Sequence, residues 1–302
     1  MEFVQTFKDD DACLGWLWRT RYAEDGKHAH CPKCDQVREF KKYATKQQRQ
    51  SWTCTACGQH VHPTAGTIFQ GSSTALHLWF YAMYLMASTR CGISAKQIER
   101  ELGVTYKTAW RMANLIRNQL MTQDDEPLDG HVEADETWIG GKPRAADIRR
   151  VRESAHPEQA KQTWRKKKTA VFGAVQREGQ VRAIIVPNSG AATLRGALHQ
   201  FVLPSSTIYT DEWMAYRKTG REYKQHLRIP HNQNIYVNGS VHTNTIEGFF
   251  SLVKNGIRGV YHSVSDKWLQ GYLNEYAWRY NHRPELGGPA MFEVLLRRAA
   301  EK

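Results

Sequence analysis

The sequence predicts a multidomain α+β chain: a small cysteine-bearing ribbon at the N-terminus, a helical region behind it, and a C-terminal α/β domain. Three observations carry this. Two C-x2-C pairs lie within residues 31–57, apolar residues recur at three- and four-residue intervals from Ser72 to Asn118, and beyond Pro127 the period falls to two. A length of 302 residues exceeds a single domain of about 100–200 residues. The expected boundaries are 1–70, 71–122 and 123–302.

Phe3, Phe7, Leu14, Trp16, Leu17 and Trp18 give the first thirty residues an apolar, aromatic pattern, expected as a short helix packed on the neighbouring module. Residues 28–62 are polar, with strand-like runs at Arg38-Glu39-Phe40 and Ser51-Trp52-Thr53. Cys31-x2-Cys34 and Cys54-x2-Cys57 are separated by 19 residues, which suits a tetrahedral four-thiolate site for a structural Zn2+ ion. Each C-x2-C turn aims two thiolates at one ion, and the excursion between them returns as a β-ribbon. His60 and His62 follow Cys57 and can stand in for a ligand; with four cysteines already present they are expected at the surface or on nucleic acid. Cys13 and Cys91 stand alone among apolar residues and are expected as small buried hydrophobes.

From Ser72, Leu76, Trp79, Phe80, Met83, Tyr84 and Ala87 mark a helix behind a Ser/Thr start. Ser94-Ala95-Lys96-Gln97 has the form of a capping box, Ile98 and Leu102 continue its apolar side, and Gly103 ends it. After Thr105 a further helix carries Ala109, Met112, Leu115 and Ile116. Two helices joined by a short Gly-containing turn have the form of a helix-turn-helix, whose second helix presents Tyr106, Lys107, Thr108 and Arg111 as candidate contacts to phosphates and base edges. An ordinary helical hairpin has the same pattern.

Gln123-Asp124-Asp125-Glu126-Pro127 reads as a linker. Beyond it, His131–Ile139, Thr169–Gln176 and Val181–Pro187 are expected strands, the last two joined as a hairpin across residues 177–180. A helix over about 191–202 leads to a strand at Thr207–Asp211, and helices follow His242 and span Ser265–Tyr280. Three acids stand out: Asp135 within an alternating strand, Asp211 at the end of another, and Glu247 one turn into a helix. Carboxylates so placed can converge on two Mg2+ (or Mn2+) ions, the arrangement used for in-line phosphoryl transfer. Each also has an ordinary reading, a solvent-facing strand residue or, for Glu247 with Asn244, a helix-terminal cap pair.

With 42 Lys+Arg against 30 Asp+Glu, the formal charge is +12 and the pI about 9.4. That balance favours a polyanionic partner, nucleic acid first. The excess is concentrated: residues 138–168 hold ten basic and three acidic residues, ending in Arg165-Lys166-Lys167-Lys168, a run that is otherwise a solvated loop. No window approaches the ~18–20 apolar residues of a membrane span, and Met1–Gln5 lacks a signal peptide's basic start. A cytoplasmic protein is expected.

The runs VEADETWIGGK (132–142), IYTDEWMAY (208–216) and HTNTIEGFFSLVKNGIRGVYHSVSDKWLQGYLNEYAWRYNHR (242–283) resemble the ISXO-type DDE transposases of bacterial insertion sequences. Residues 65–86, AGTIFQGSSTALHLWFYAMYLM, resemble that family's stretch between its zinc ribbon and its helices. The resemblance spans nearly the whole chain. It implies an RNase H-like catalytic core with Asp135, Asp211 and Glu247 on the metal-binding positions, and it places Lys254 where many such enzymes carry a helix lysine that touches DNA near the cut. It departs at Asn244, three residues before the glutamate, where the wider superfamily often has arginine. On the helix itself, Ile246, Phe249, Phe250, Val253 and Ile257 form an inward stripe beside a polar one of Glu247, Ser251, Lys254 and Arg258.

The expected activity is therefore transposition. Phosphodiester hydrolysis at each transposon end is followed by attack of the freed 3′-hydroxyl on target DNA, with ribbon and helix-turn-helix on the terminal inverted repeats and the basic insertion along the backbone. Expected partners are double-stranded transposon-end and target DNA and further copies of the chain, as a homodimer or higher oligomer on paired ends, in a nucleoid-associated location. A transposase-derived DNA-binding regulator that no longer cuts, and a nuclease on the same fold, are the rival readings.

Overall fold

The computed structural model describes residues 2–43, 51–140, 149, 153–154, 168–211, 214–229, 242–283 and 288–301. In chain order they form α1 (Glu2–Thr6), α2 (Asp10–Arg21), β1 (His28–Cys31), β2 (Gln36–Tyr43), β3 (Ser51–Cys54), β4 (His60–Val61), α3 (Leu76–Ser88), α4 (Ala95–Leu102) and α5 (Tyr106–Leu115). Then come β5 (His131–Ile139), β6 (Thr169–Gln176), β7 (Val181–Val186), α6 (Ala191–Phe201), β8 (Thr207–Asp211), α7 (Tyr216–Thr219) and β9 (Gln225–Ile229). The chain closes with α8 (Asn244–Gly256), α9 (Asp266–Asn281) and α10 (Gly288–Glu301). Most of the basic insertion, including Arg165, Lys166 and Lys167, lies outside the described residues. Contacts divide the chain into two compact units, residues 1–121 with 285–302, and residues 122–284.

In the first unit β1 to β4 form an antiparallel ribbon in sequence order. Trp18 of α2 stacks on Trp52 of β3 with centroids 4.8 Å apart, joining ribbon to helix. The chain start is helical in two pieces, with Phe7 in the connection between them, and Phe3, Phe7, Leu14, Leu17 and Trp18 are buried. α3 begins differently from its sequence pattern: its N-cap residue is Ala75, without a side-chain cap. The Asp10 carboxylate of α2 accepts from the His77 backbone N–H at 2.8 Å instead, so a helix-terminal donor is satisfied by a residue distant in sequence. Ser94 caps α4 through Gln97 N–H at 3.1 Å, and Gly103 ends that helix at φ +65°, a conformation glycine adopts without penalty. α10, which no periodicity singled out, packs with this unit, its Phe292 against Phe3, Phe7 and Tyr84. Cys13 is buried as expected. Cys91 is exposed, because it sits in the connection between α3 and α4 and not on an apolar helix face.

The second unit is built on a five-stranded sheet of order β7-β6-β5-β8-β9, antiparallel through β7, β6 and β5 and parallel through β5, β8 and β9. Alternation sorts its residues into two cores. Val132, Ala134, Phe172 and Ala174 face Leu194 and Leu198 of α6 and Tyr216 of α7. Ile139, Val171 and Val175 face Ile246, Phe249, Phe250 and Val253 of α8 and Leu269, Leu273 and Tyr276 of α9. The hairpin turns through Glu178, at φ +60°. β9, a short edge strand with Gln225 and Arg228 exposed, lacks the alternation that announces a strand.

The seat of α8 depends on Gly173, which pairs with Asp135 across β5 and β6. A Cβ there would lie 2.8 Å from Phe250 Cζ and 2.9 Å from Ile246 Cδ1. Because both neighbours are packed in the core, Gly173→Ala is expected to cost about 1–3 kcal/mol through overpacking. A denaturant titration reads this as a lowered midpoint; an unchanged midpoint would mean that α8 is not held against β6.

Candidate active site

Asp135 lies on β5 and Asp211 ends β8. The two strands run parallel, with Glu133 beside Tyr209, so two residues further the same register sets Asp135 beside Asp211. Glu247 comes from α8, whose apolar stripe Ile246, Phe249, Phe250 and Val253 is buried against that face of the sheet while Glu247 itself is exposed. Thr243, and not Asn244, is the N-cap residue, and its hydroxyl donates to Glu247 Oε1 at 2.9 Å.

Asp135 feels its acidic neighbours. Burial pushes the Asp135 carboxyl up to about 7 against the opposing Glu136 backbone N–H, and the charges of Glu136, Asp211 and Glu247 push it the same way. The Glu136 backbone N–H donates to Asp135 Oδ1 at 2.8 Å. Glu136 is a fourth carboxylate at this end of the sheet, raised by its own burial and by Asp211, and Tyr216 Oη donates to its Oε2 at 2.7 Å. Sequence reasoning passed over Tyr216; its only sign was an aromatic residue five positions beyond Asp211.

Basic residues border the acids. Lys254 is half-buried on α8; burial draws its ammonium below the usual lysine range, Asp135 opposes this, and Arg258 and Lys168 reinforce it. Arg258 stands exposed on the π-helical turn Ile257–Tyr261 after α8, and Lys168 is exposed just before β6.

In the first unit, Cys31, Cys34, Cys54 and Cys57 bring their sulfur atoms within 4.8 Å of one another, the one such cluster of possible metal ligands among the described residues. Both C-x2-C turns close alike, by Asp35 N–H to Cys31 O at 2.8 Å and Gly58 N–H to Cys54 O at 3.0 Å. Burial works against ionisation of Cys31, but the backbone N–H groups of Cys34 and Lys33 bring its thiol down to about 6. Four converging sulfurs of this kind can hold zinc. His60 is engaged elsewhere, with Nδ1 at 2.9 Å from Thr53 Oγ1, and His62 is exposed outside the cluster. On α5, Tyr106, Lys107 and Arg111 are exposed, Arg111 reaching over the Trp79 ring at 6.0 Å. Thr108 is half-buried with its hydroxyl 3.1 Å from that of Thr105.

The sequence profile described as the ISXO2-like transposase domain matches residues 127–281, the span that holds all three acids. The chain belongs to the ISXO2-like transposase family. An uncharacterized protein in transposable element ISH50 of Halobacterium salinarum is 28% identical to this transposase-family chain over 97% of its length and 98% of its own. An uncharacterized transposase-like protein of Haemophilus influenzae is 28% identical over 34% of this chain and 82% of its own. Among solved structures, a simian T-cell lymphotropic virus intasome in complex with PP2A regulatory subunit B56 gamma aligns with a TM-score of 0.30 and 13% identity, over 69% of this chain and 74% of that one. Among the described residues no helix is long and apolar enough to cross a membrane.

The cysteine cluster generates a direct test. Purified transposase is expected to carry one zinc per chain by elemental analysis, and Cys54→Ser to lose it and unfold residues 28–61 while residues 122–284 keep a cooperative transition. Zinc-free protein with an intact ribbon would refute the assignment.

Proposed function

We propose that this chain is a DNA transposase that binds the terminal inverted repeats of an insertion sequence, hydrolyses phosphodiester bonds at its ends, and joins the 3′-hydroxyl to target DNA. The observation that supports the reading is that the parallel register of β5 and β8 runs Asp135 level with Asp211, while Glu247 comes from the helix packed on that face and adds, with Asp211, to the upward push on the Asp135 carboxyl. Placing like charges on a half-buried site is costly unless cations share it. The donor set is all carboxylate, which suits hard divalent ions, two Mg2+ or Mn2+ per site. Such ions, when bound, activate an attacking oxygen and stabilise a leaving one.

The sheet order, three antiparallel strands continued by two parallel ones with α8 on one face, supports reading the second unit, residues 122–284, as an RNase H-like catalytic domain, shorter than the expected 123–302 because 285–302 belong to the first unit. Lys254, Arg258 and Lys168 bear positive charge beside the acids and are assigned to the DNA backbone near the scissile phosphate; the 165–168 run extends that assignment. α4 and α5 are assigned as a helix-turn-helix with Tyr106, Lys107, Thr108 and Arg111 toward DNA, and the cysteine ribbon as a zinc ribbon beside it. Synapsis of paired ends calls for a dimer or higher oligomer, and the whole assignment places the protein on the bacterial nucleoid.

Asp135→Asn, Asp211→Asn and Glu247→Gln are each expected to reduce Mg2+-dependent cleavage of labelled end DNA by at least about 10³-fold while leaving gel-shift binding in Ca2+ unchanged, since members of one catalytic unit fail together. A wild-type protein that binds ends but neither cuts nor joins them would leave the regulator reading standing; cutting without joining would leave the nuclease. Lys254→Ala is expected to weaken binding to all DNA sequences alike and to lower the salt dependence of log Kd by about one. A loss confined to end sequences would place Lys254 on bases instead.

A further inference from the structure

Glu133 lies two residues before Asp135 on β5, so its side chain leaves the same face of the sheet, and it is 0% exposed. A buried carboxylate persists only where its oxygens are well satisfied. Oε1 accepts from Arg177 Nε at 2.8 Å and from the Thr245 hydroxyl at 3.0 Å. Oε2 accepts from the backbone N–H groups of Thr245 and Ile246 at 2.8 and 3.1 Å. His242 Nδ1 stands 3.2 Å from Oε1 without hydrogen-bond alignment.

Those two amides belong to the first turn of α8, where a helix normally turns to its own N-cap side chain. Here the N-cap residue Thr243 makes no such bond. Its hydroxyl is spent on Glu247. Glu133 thus caps the helix from the neighbouring strand and releases Thr243 to hold the Glu247 carboxylate. Arg177 extends the network: it donates Nη2 to His242 O at 2.9 Å and lies over the Tyr209 ring, 3.9 Å from its centroid. Tyr209 faces Glu133 across β5 and β8, and its hydroxyl meets His131 Nδ1 at 2.8 Å. One buried carboxylate therefore ties β5, the β6–β7 turn, β8 and the start of α8.

We propose that Glu133 is a positioning residue of the carboxylate site: by capping α8 in place of Thr243, it sets Glu247 against Asp135 and Asp211 and so tunes the affinity of the site for its divalent ions. This rests on the reading of those three acids as the metal-binding set and adds the element that fixes their spacing. Outer partners that orient metal ligands are worth about 10–100-fold in metal affinity or activity. A helix turn capped by Thr243 instead would withdraw the hydroxyl from Glu247.

The test titrates Mn2+ calorimetrically into zinc-loaded, full-length wild type, Glu133→Gln, the double variant Glu133→Gln with Arg177→Gln, and Asp135→Asn. Cleavage kinetics on end DNA and thermal unfolding accompany it. Glu133→Gln is expected to weaken Mn2+ binding and lower kcat about 10–100-fold with KM unchanged, and saturating Mn2+ to restore part of the rate. The double variant replaces the ion pair by an amide pair; it is expected to regain thermal stability without regaining Mn2+ affinity, which separates positioning from a structural role. Folded single or double variants that bind Mn2+ and cut as the wild type does, while Asp135→Asn has lost the ion, overturn the proposal alone. Mn2+ binding unaffected by Asp135→Asn overturns the carboxylate site and this inference with it.

Discussion

Asp211, Glu247 and Glu136 all make the charging of Asp135 more difficult, so the spacing of these acids has to be imposed by contacts outside the set. The packing that does so is the seat of α8 on the sheet. Its apolar stripe fills the core beside Val171 and Val175, each such side chain contributing about 1.5–3 kcal/mol on burial, and Gly173 allows the helix to approach where any Cβ would meet Phe250. The parallel register of β5 and β8 then needs no adjustment to bring the two aspartates level.

The polar side of the same joint is as constrained as the apolar side. The donors around Glu133 come from the β6–β7 turn and from the start of α8, so the carboxylate acts as a common reference for strand, turn and helix. Hydrogen bonds to a buried charge are stronger than neutral ones, and a missing partner leaves a costly orphan. The joint therefore tolerates few alternative geometries. That is what a site needs if ligand oxygens are to keep fixed distances through a reaction.

Much of this was legible in the residues. The five strand and helix patterns from His131 to Phe201 and Thr207 to Asp211 followed from alternation and helical spacing, the inward stripe of α8 from its three- and four-residue intervals, and the ribbon from two C-x2-C pairs. Elements whose evidence is tertiary were not legible. β9 is a strand because β8 offers it a parallel edge, and the cap of α3 is a carboxylate from α2. Glu133 illustrates the limit most clearly. Alternation placed it beside Asp135, but an acid on a half-buried strand ordinarily faces water, and only the arrival of α8 and Arg177 shows why it is buried instead.

The fourteen residues of α10 belong with the beginning of the chain. Phe292 completes an aromatic cluster begun by Phe3 and Phe7, and Leu295, Leu296 and Ala299 are fully or almost fully buried. The second unit is thus an insertion within the first. Synthesis proceeds in the opposite sense to completion: residues 122–284 are made as one continuous stretch, whereas the unit begun first must wait for Phe292 to complete the cluster of Phe3, Phe7 and Tyr84. A chain broken off before α10 would therefore keep its cysteine ribbon and α4–α5 pair but leave Phe3, Phe7 and Tyr84 without the cover of Phe292, the sort of apolar exposure that chaperones and proteases recognise. Only a chain translated through α10 closes that cluster, so the fold itself discriminates between copies that carry this helix and copies cut short of it.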